Sequence, residues 1–421
     1  MKTIIRNTVA AAVLFSGLGL LAQDNRNLDN YRQPDRRGVN VFEAPKDTLT
    51  SFENLKVRIG GAFALQFQAL DHENSGAVGL VEIGDNFNLA TANLDIDVAL
   101  YDGVNLHLRT YLSSRHHPEP YVKGGYIQID KLEFIEEGFL DDIMDLTTIK
   151  IGHMENNYGD AHFRRSDNAQ TLYNPFVGNL IMDAFTTEVG AEVYVRKNGF
   201  IGMVGMTNGK LNQAVDNPDT SGASFIGKLG YDTNLSNDLR VRLTGSVYTT
   251  SKVANSYLYS ADRAGSRYYL VLEPEDATAK NNFRSGRYDP QFRNEITAFM
   301  INPFVKYRGL ELFGTLEFAN GKAETELDTR SANQYAGELI YRFGTNEQFY
   351  IGGRYNVVDA EDAENGDIEI TRFQGSAGWF MTKNILMKME YVNQQHDGYP
   401  STSIFNEGQF DGVLLEAAIS F

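Results

Sequence analysis

From Leu55 onward the chain alternates apolar residues with polar or small ones. Val57, Ile59, Gly61, Phe63, Leu65 and Phe67 interleave with Lys56, Arg58, Gly60, Ala62, Ala64 and Gln66. A period of two puts one set on each face of a β-strand. The rhythm returns at Val104–Leu112, Leu239–Val247 and Leu310–Phe318. These segments run to roughly 8–14 residues, the length that crosses a membrane as a tilted strand. Strands of soluble sandwiches are usually nearer five or six. Length therefore favours a closed transmembrane barrel.

The connectors support this reading. Short turns are expected at Asp102-Gly103, Lys197-Asn198-Gly199, Arg308-Gly309, Gly344 to Glu347 and Met381 to Asn384. Longer polar loops are expected at 71–84, 155–184, 208–222, 251–294, 321–332, 359–367 and 395–409. Short and long connections alternate when one rim faces the periplasm and the other the exterior. Glu133 to Thr148 breaks the pattern: its position calls for a turn, but it is long, acidic and amphipathic, and is expected to hold a short helix. The fold expected is all-β: a transmembrane antiparallel barrel of about 16 strands over 55–421, with long extracellular loops and one folded inward. The chain ends on an alternating strand, Val413, Leu415, Ala417, Ile419 and Phe421. Such an aromatic end resembles the membrane-assembly signal of bacterial outer-membrane proteins, which makes the barrel-assembly machinery an expected partner.

The first residues read differently. Lys2 and Arg6 precede an apolar run from Val9 to Leu21 and then Ala22. This is too short to span the membrane and fits an export signal over residues 1–22. Its removal leaves 399 of 421 residues and takes the net charge from −17 to −19. Residues 23–54 are rich in Asp, Asn, Arg and Pro and show no period. They are expected to be a polar periplasmic segment or one lying in the lumen.

Composition narrows the chemistry. The negative charge argues against nucleic acid as a ligand. The absence of cysteine excludes disulfides, thiolate metal sites and a cysteine nucleophile. His116-His117 has no third ligand at suitable spacing, so neither a metal nor another cofactor is expected. The seven histidines sit in no recognisable hydrolase motif, and no G-x-S-x-G elbow occurs, so the chain is not expected to be an enzyme. Tyr341, Phe343, Phe349, Tyr350, Phe380 and Tyr391 near strand ends are expected to form interfacial girdles.

A further resemblance covers the barrel. Ile149 to His153, Asn156 to Asp160, Phe163 to Asn168, Tyr173 to Asn179 and Thr187 to Glu192 resemble a Bacteroidetes-type outer-membrane porin. The likeness extends distantly to the phosphate-selective porin O and P family, although the Arg/Lys ladder behind phosphate selectivity is not recognised here. It implies a Gram-negative outer-membrane location, a homotrimer amid outer-membrane lipid and lipopolysaccharide, and an inward loop that narrows the pore. The expected function is passive diffusion of small hydrophilic solutes or anions. An outer-membrane barrel enzyme, or a non-conducting structural or adhesive barrel, is the alternative.

Permeation needs opposed charges rather than bond-making. Arg164, Arg165 and Asp167 in the 155–184 loop are the expected constriction, unless they serve as latches to loop acids. The polar strand face places Arg58, Arg109, Lys150, Glu188, Glu192, Arg240, Arg242 and Arg354 in the lumen. It adds Lys56, Arg196, Lys228, Lys306, Arg342, Arg372 and Lys388, with Asp95, Asp97, Glu311, Glu317, Glu338, Glu390 and Glu416. The resulting local excess of positive charge predicts a weak anion preference despite the acidic chain.

Overall fold

The structure is a computed structural model that describes residues 28–46, 52–113, 115, 119–208, 221–261 and 264–421. The expected export signal, His116-His117 and parts of two loops lie outside these residues.

Sixteen strands form one closed antiparallel barrel in which each pairs with its sequence neighbours. The first eight are β1 (Lys56–Glu73), β2 (Asn86–Tyr101), β3 (Val104–Ser113), β4 (Tyr121–Ile129), β5 (Thr147–Glu155), β6 (Thr187–Lys197), β7 (Phe200–Thr207) and β8 (Ser224–Asn234). Then follow β9 (Leu239–Thr250), β10 (Glu295–Tyr307), β11 (Leu310–Lys322) and β12 (Arg330–Phe343). The last four are β13 (Phe349–Asp362), β14 (Gly366–Thr382), β15 (Ile385–Asp397) and β16 (Gln409–Ser420). Pairing of β1 with β16, from Ala62 opposite Ser420 to Glu73 opposite Gln409, closes the cylinder and removes the free sheet edges. Phe421 continues the seam, exchanging backbone hydrogen bonds with Gly61.

One rim carries the turns and both ends of the barrel; the other carries the loops. The β4–β5 connector holds a helical turn at Asp141–Met144. Two connections differ from expectation. The supposed loop at 359–367 is only the turn 363–365, because β13 and β14 extend past the apolar belt as exposed polar strand. A further short turn, 235–238, joins β8 to β9.

Alternation sets the two faces. Leu65, Val204, Leu229, Ile301 and Ile351 are exposed on the outer wall, as lipid contact requires. Tyr341, Phe343 and Tyr391 join them, but Tyr350 and Phe380 do not. Adjacent strand residues face opposite ways, so beside half-buried Phe349 the Tyr350 ring turns inward, to 1% exposure. Phe380 is buried in the same inner cluster.

The interior is packed rather than open. Residues 156–186 lie within the barrel, and all but Ala161, Phe163, Ala169 and Gln170 are buried. The β9–β10 connection, far from projecting outward, also folds in: Tyr259, Tyr268, Leu272 and Phe292 are each 1% exposed or less. Ile181 and Met182 of the first loop and Leu258 and Tyr288 of the second pack on Ile296, Met300, Val358 and Ile370 of the wall. Leu172, Tyr173 and Phe176 pack on Ile340, Tyr350 and Leu386. Residues 28–46 cross the turn-bearing mouth, where Phe42 sits among Phe304, Phe313 and Phe163.

Candidate functional site

Strand parity turns a ladder of charged side chains into the lumen, and the inward segments decide what each one meets. Arg58 donates to Asp97 at 2.6 Å, to the Tyr31 hydroxyl at 2.6 Å and to the Phe421 carbonyl at 2.7 Å. Arg109 forks onto Asp95 at 2.7 and 2.8 Å and also reaches the Asn168 carbonyl. Arg240 forks onto Asp232 at 2.8 and 2.6 Å. Arg242 holds Asp160 of the first loop and Glu43 of the amino-terminal segment at 2.8–3.0 Å. Arg354 bridges Glu338 and the Gly178 carbonyl. These pairs are bidentate or charge-assisted, the geometry for which a guanidinium is suited.

Four wall carboxylates have neutral donors. Glu317 accepts from the hydroxyls of Tyr158 and Tyr259, one from each inward loop, at 3.2 and 2.9 Å. Glu390 accepts from the backbone N–H groups of Val177 and Gly178 and from Tyr268. Glu188 accepts from Thr207 and Tyr248. The loop approaches so closely at Gly178 that a Cβ there would stand 1.9 Å from the Tyr268 hydroxyl oxygen. Glu192 receives the Asn157 N–H at 3.0 Å and the Tyr194 hydroxyl at 2.5 Å.

Arg164, Arg165 and Asp167 stand inside the barrel at 3%, 2% and 0% exposure. Arg164 meets Asn40 and Glu338, Arg165 forks onto Asp183, and Asp167 takes Lys123 and Arg165. Burial alone would raise the Asp167 carboxyl, but the Lys123 and Arg165 charges outweigh it and hold it at about 2. The geometry is that of latches: Arg164 and Asp167 fasten the loop to the wall through Glu338 and Lys123, Arg165 braces it internally through Asp183 and Asp167, and none of the three lines the cavity beside the amino-terminal segment.

That cavity, of about 180 Å³, lies between residues 30–44, the first inward loop and the β2–β6 wall. Arg32, His107, Arg109, Tyr126, Lys150, Glu155, His162, Tyr173 and Tyr194 line it. Two of its cations have no carboxylate partner among the described residues. Lys150 stands 5.4 and 5.2 Å from the ring centres of Tyr126 and Tyr194 and makes no hydrogen bond or ion pair there. Arg32 covers the Tyr173 ring at 3.7 Å and donates to the carbonyls of Gly38 and Phe163. Burial brings its guanidinium down to about 10, so it stays charged at neutral pH. Among the cavity's other charges, Arg109 pairs with Asp95, Lys123 with Asp167 and Glu43 with Lys228, while Glu155 bonds the His162 ring.

Three of these groups escaped the sequence pattern. Arg32 and Glu43 belong to a segment with no period. Lys123 is hidden by a bulge: Arg109 opposes Gly124 and Thr110 opposes Val122, so the intervening Lys123 is skipped and swings inward. A signal for the filled interior did exist. Ile296, Ile340, Val358, Ile370, Leu386 and Val392 are apolar at inward positions, which a water-filled wall has no reason to carry.

No family model and no curated protein matches the chain. Among solved structures, an anion-selective porin from Comamonas acidovorans is 10% identical with a TM-score of 0.53, covering 87% of this chain and 100% of that one. Pseudomonas putida OprB is 10% identical at TM-score 0.52, covering 87% and 94%. The trimer form of OmpT, an outer-membrane protein of Vibrio cholerae, is 11% identical at 0.52, covering 88% and 100%. Across such low identity it is the backbone that is shared: this chain has the closed β-barrel fold of outer-membrane porins.

Proposed function

We propose that this protein is a porin of a Gram-negative outer membrane that passes small hydrophilic solutes by diffusion and prefers anions. The observation that carries the reading is a barrel with a lipid-compatible outer face and a charged lumen, in which Lys150 and Arg32 face the cavity without a carboxylate. Within a low-dielectric wall, cations not tied up in a direct ion pair shape the local potential that a permeating ion meets. Arg164, Arg165 and Asp167 shape the constriction indirectly by fixing the inward loop. Most other lumen cations are ion-paired, among them Arg58, Arg109, Arg242 and Arg354, which keeps solutes from binding too tightly to leave. The resemblance to Bacteroidetes porins and to the porin O and P family, and the trimeric form of one structural neighbour, extend the proposal to a homotrimer set in lipopolysaccharide. Phe421 then serves as the signal read by the assembly machinery.

Reversal potentials of the reconstituted protein in a salt gradient test this. An anion-selective wild type and a Lys150→Gln variant shifted toward cations are expected; a cation-selective wild type contradicts the proposal. The double variant Arg164→Ala with Arg165→Ala is expected to conduct more, because the loop loses its fastenings. The buried inward loops favour a second reading, a non-conducting barrel, and silence of both wild type and double variant would select it.

A further inference from the structure

We propose that residues 28–46 are a displaceable plug on the turn-bearing mouth of the barrel, docked mainly by polar contacts the wall does not need. This rests on the porin reading for its purpose, but its geometry stands apart from it.

The segment crosses the mouth between distant strands. Tyr31 meets Arg58 of β1, the Arg36 N–H donates to the Lys383 carbonyl in the β14–β15 turn, and Asn40 meets Glu311 of β11. Glu43 meets Lys228 of β8 and Arg242 of β9, and Lys46 donates to the Thr147 carbonyl of β5 at 2.8 Å. Such a path lies across whatever passes through the barrel.

What marks it as displaceable is the state of the wall without it. Lys228 and Arg242 each retain Asp160, at 2.6 and 2.8 Å. Arg58 retains Asp97, Arg240 retains Asp232, Glu311 retains Arg342 and Arg164 retains Glu338. Each of these charges keeps an ionic partner, and Asp130, which loses Lys46, keeps hydrogen bonds from Gln128 and Thr148, so withdrawal leaves no buried ion bare. The first inward loop is the opposite case. Its removal takes the Val177 and Gly178 donors from Glu390 and the Tyr158 donor from Glu317, neither of which has a cation within ion-pair distance among the described residues. The loop is built in; the segment is added on. Its deepest apolar anchor is Phe42, 5.4 Å from the Phe304 ring, with Leu28 also buried.

Hydrogen exchange and single-channel conductance together decide the matter, using wild type, Phe42→Ala with Glu43→Gln, and a chain lacking residues 28–46. In the double variant, amides 39–44 are expected to exchange severalfold faster while amides 156–186 stay as protected as in wild type. Conductance is expected to rise severalfold in the double variant and further in the truncated chain. Equal acceleration in both regions, or none in 39–44, overturns the plug whether or not the protein conducts. A conducting wild type whose conductance the truncation leaves unchanged also overturns it, with the porin reading intact. If no variant conducts, the porin reading fails, and the exchange pattern alone judges whether the segment is detachable.

Discussion

Lys123 and Asp167 show how a single buried pair governs a loop. Removing one partner of such a pair leaves an ion poorly matched and typically costs about 3–5 kcal/mol, whereas replacing both by apolar groups costs far less. Because Asp167 keeps Arg165 at 3.2 Å, Lys123→Met is expected to cost less than that full penalty, and Lys123→Met with Asp167→Leu to recover part of the loss, as measured by urea unfolding in lipid vesicles. The pH dependence follows from the same group. Asp167 titrates near 2 when folded and near 4 when unfolded. Its contribution, on the order of 2 kcal/mol, is complete above the unfolded value and is lost as the pH falls toward the folded one. Between pH 5 and pH 2.5 wild type should lose stability that an Asp167→Asn variant has already forfeited; equal losses in the two would show that the pair does not hold the loop.

At the scale of elements, strands and inward loops obey different constraints. A strand position is set by depth and face. Ile301, 41% exposed on the outer face of β10, belongs to the apolar belt, and Ile301→Arg is expected to cost about 2–4 kcal/mol. Thr297→Arg, two repeats of the pleat nearer the loop rim on the same face, should cost less, about 0–1 kcal/mol. Unfolding of both variants in vesicles checks the depth dependence. A loop position is set by packing. Gly178→Ala would drive a methyl into Tyr268, and overpacking of this kind costs about 1–3 kcal/mol. Because Tyr268 and Gly178 share Glu390, faster hydrogen exchange is expected in both inward loops rather than one. The turn at 363–365 shows the limit of reading loops from polarity. The exposed polar ends of β13 and β14 stay hydrogen-bonded strand above the apolar belt, and composition alone does not mark where pairing stops.

For the whole molecule, the charge is segregated. Acidic residues crowd the β4–β5 connector, with Glu136, Glu137, Asp141 and Asp142 exposed, and the outer upper wall, with Asp359, Glu361, Glu369 and Asp397 exposed. The lumen instead engages most of its charges in ion pairs and hydrogen bonds. A strongly acidic chain and an anion-preferring passage are thus compatible, because a permeating ion responds to the field within a few ångströms.

The sequence by itself determined the barrel: its strand number, its two faces and the inward position of Arg58, Arg109, Lys150, Arg240, Arg242 and Arg354. A period of two is a local property, written in neighbouring residues. It could not tell which lumen charges are spent on internal contacts, nor that Lys123 faces inward through a bulge, nor that Arg32 and Glu43 sit beside the cavity. Those facts depend on partners far apart in the chain, such as Lys388 with the Thr171 carbonyl and Arg354 with that of Gly178. Only closure of the cylinder and the inward folding of three segments bring such groups within bonding distance, so tertiary structure alone decided how much of the lumen stays open.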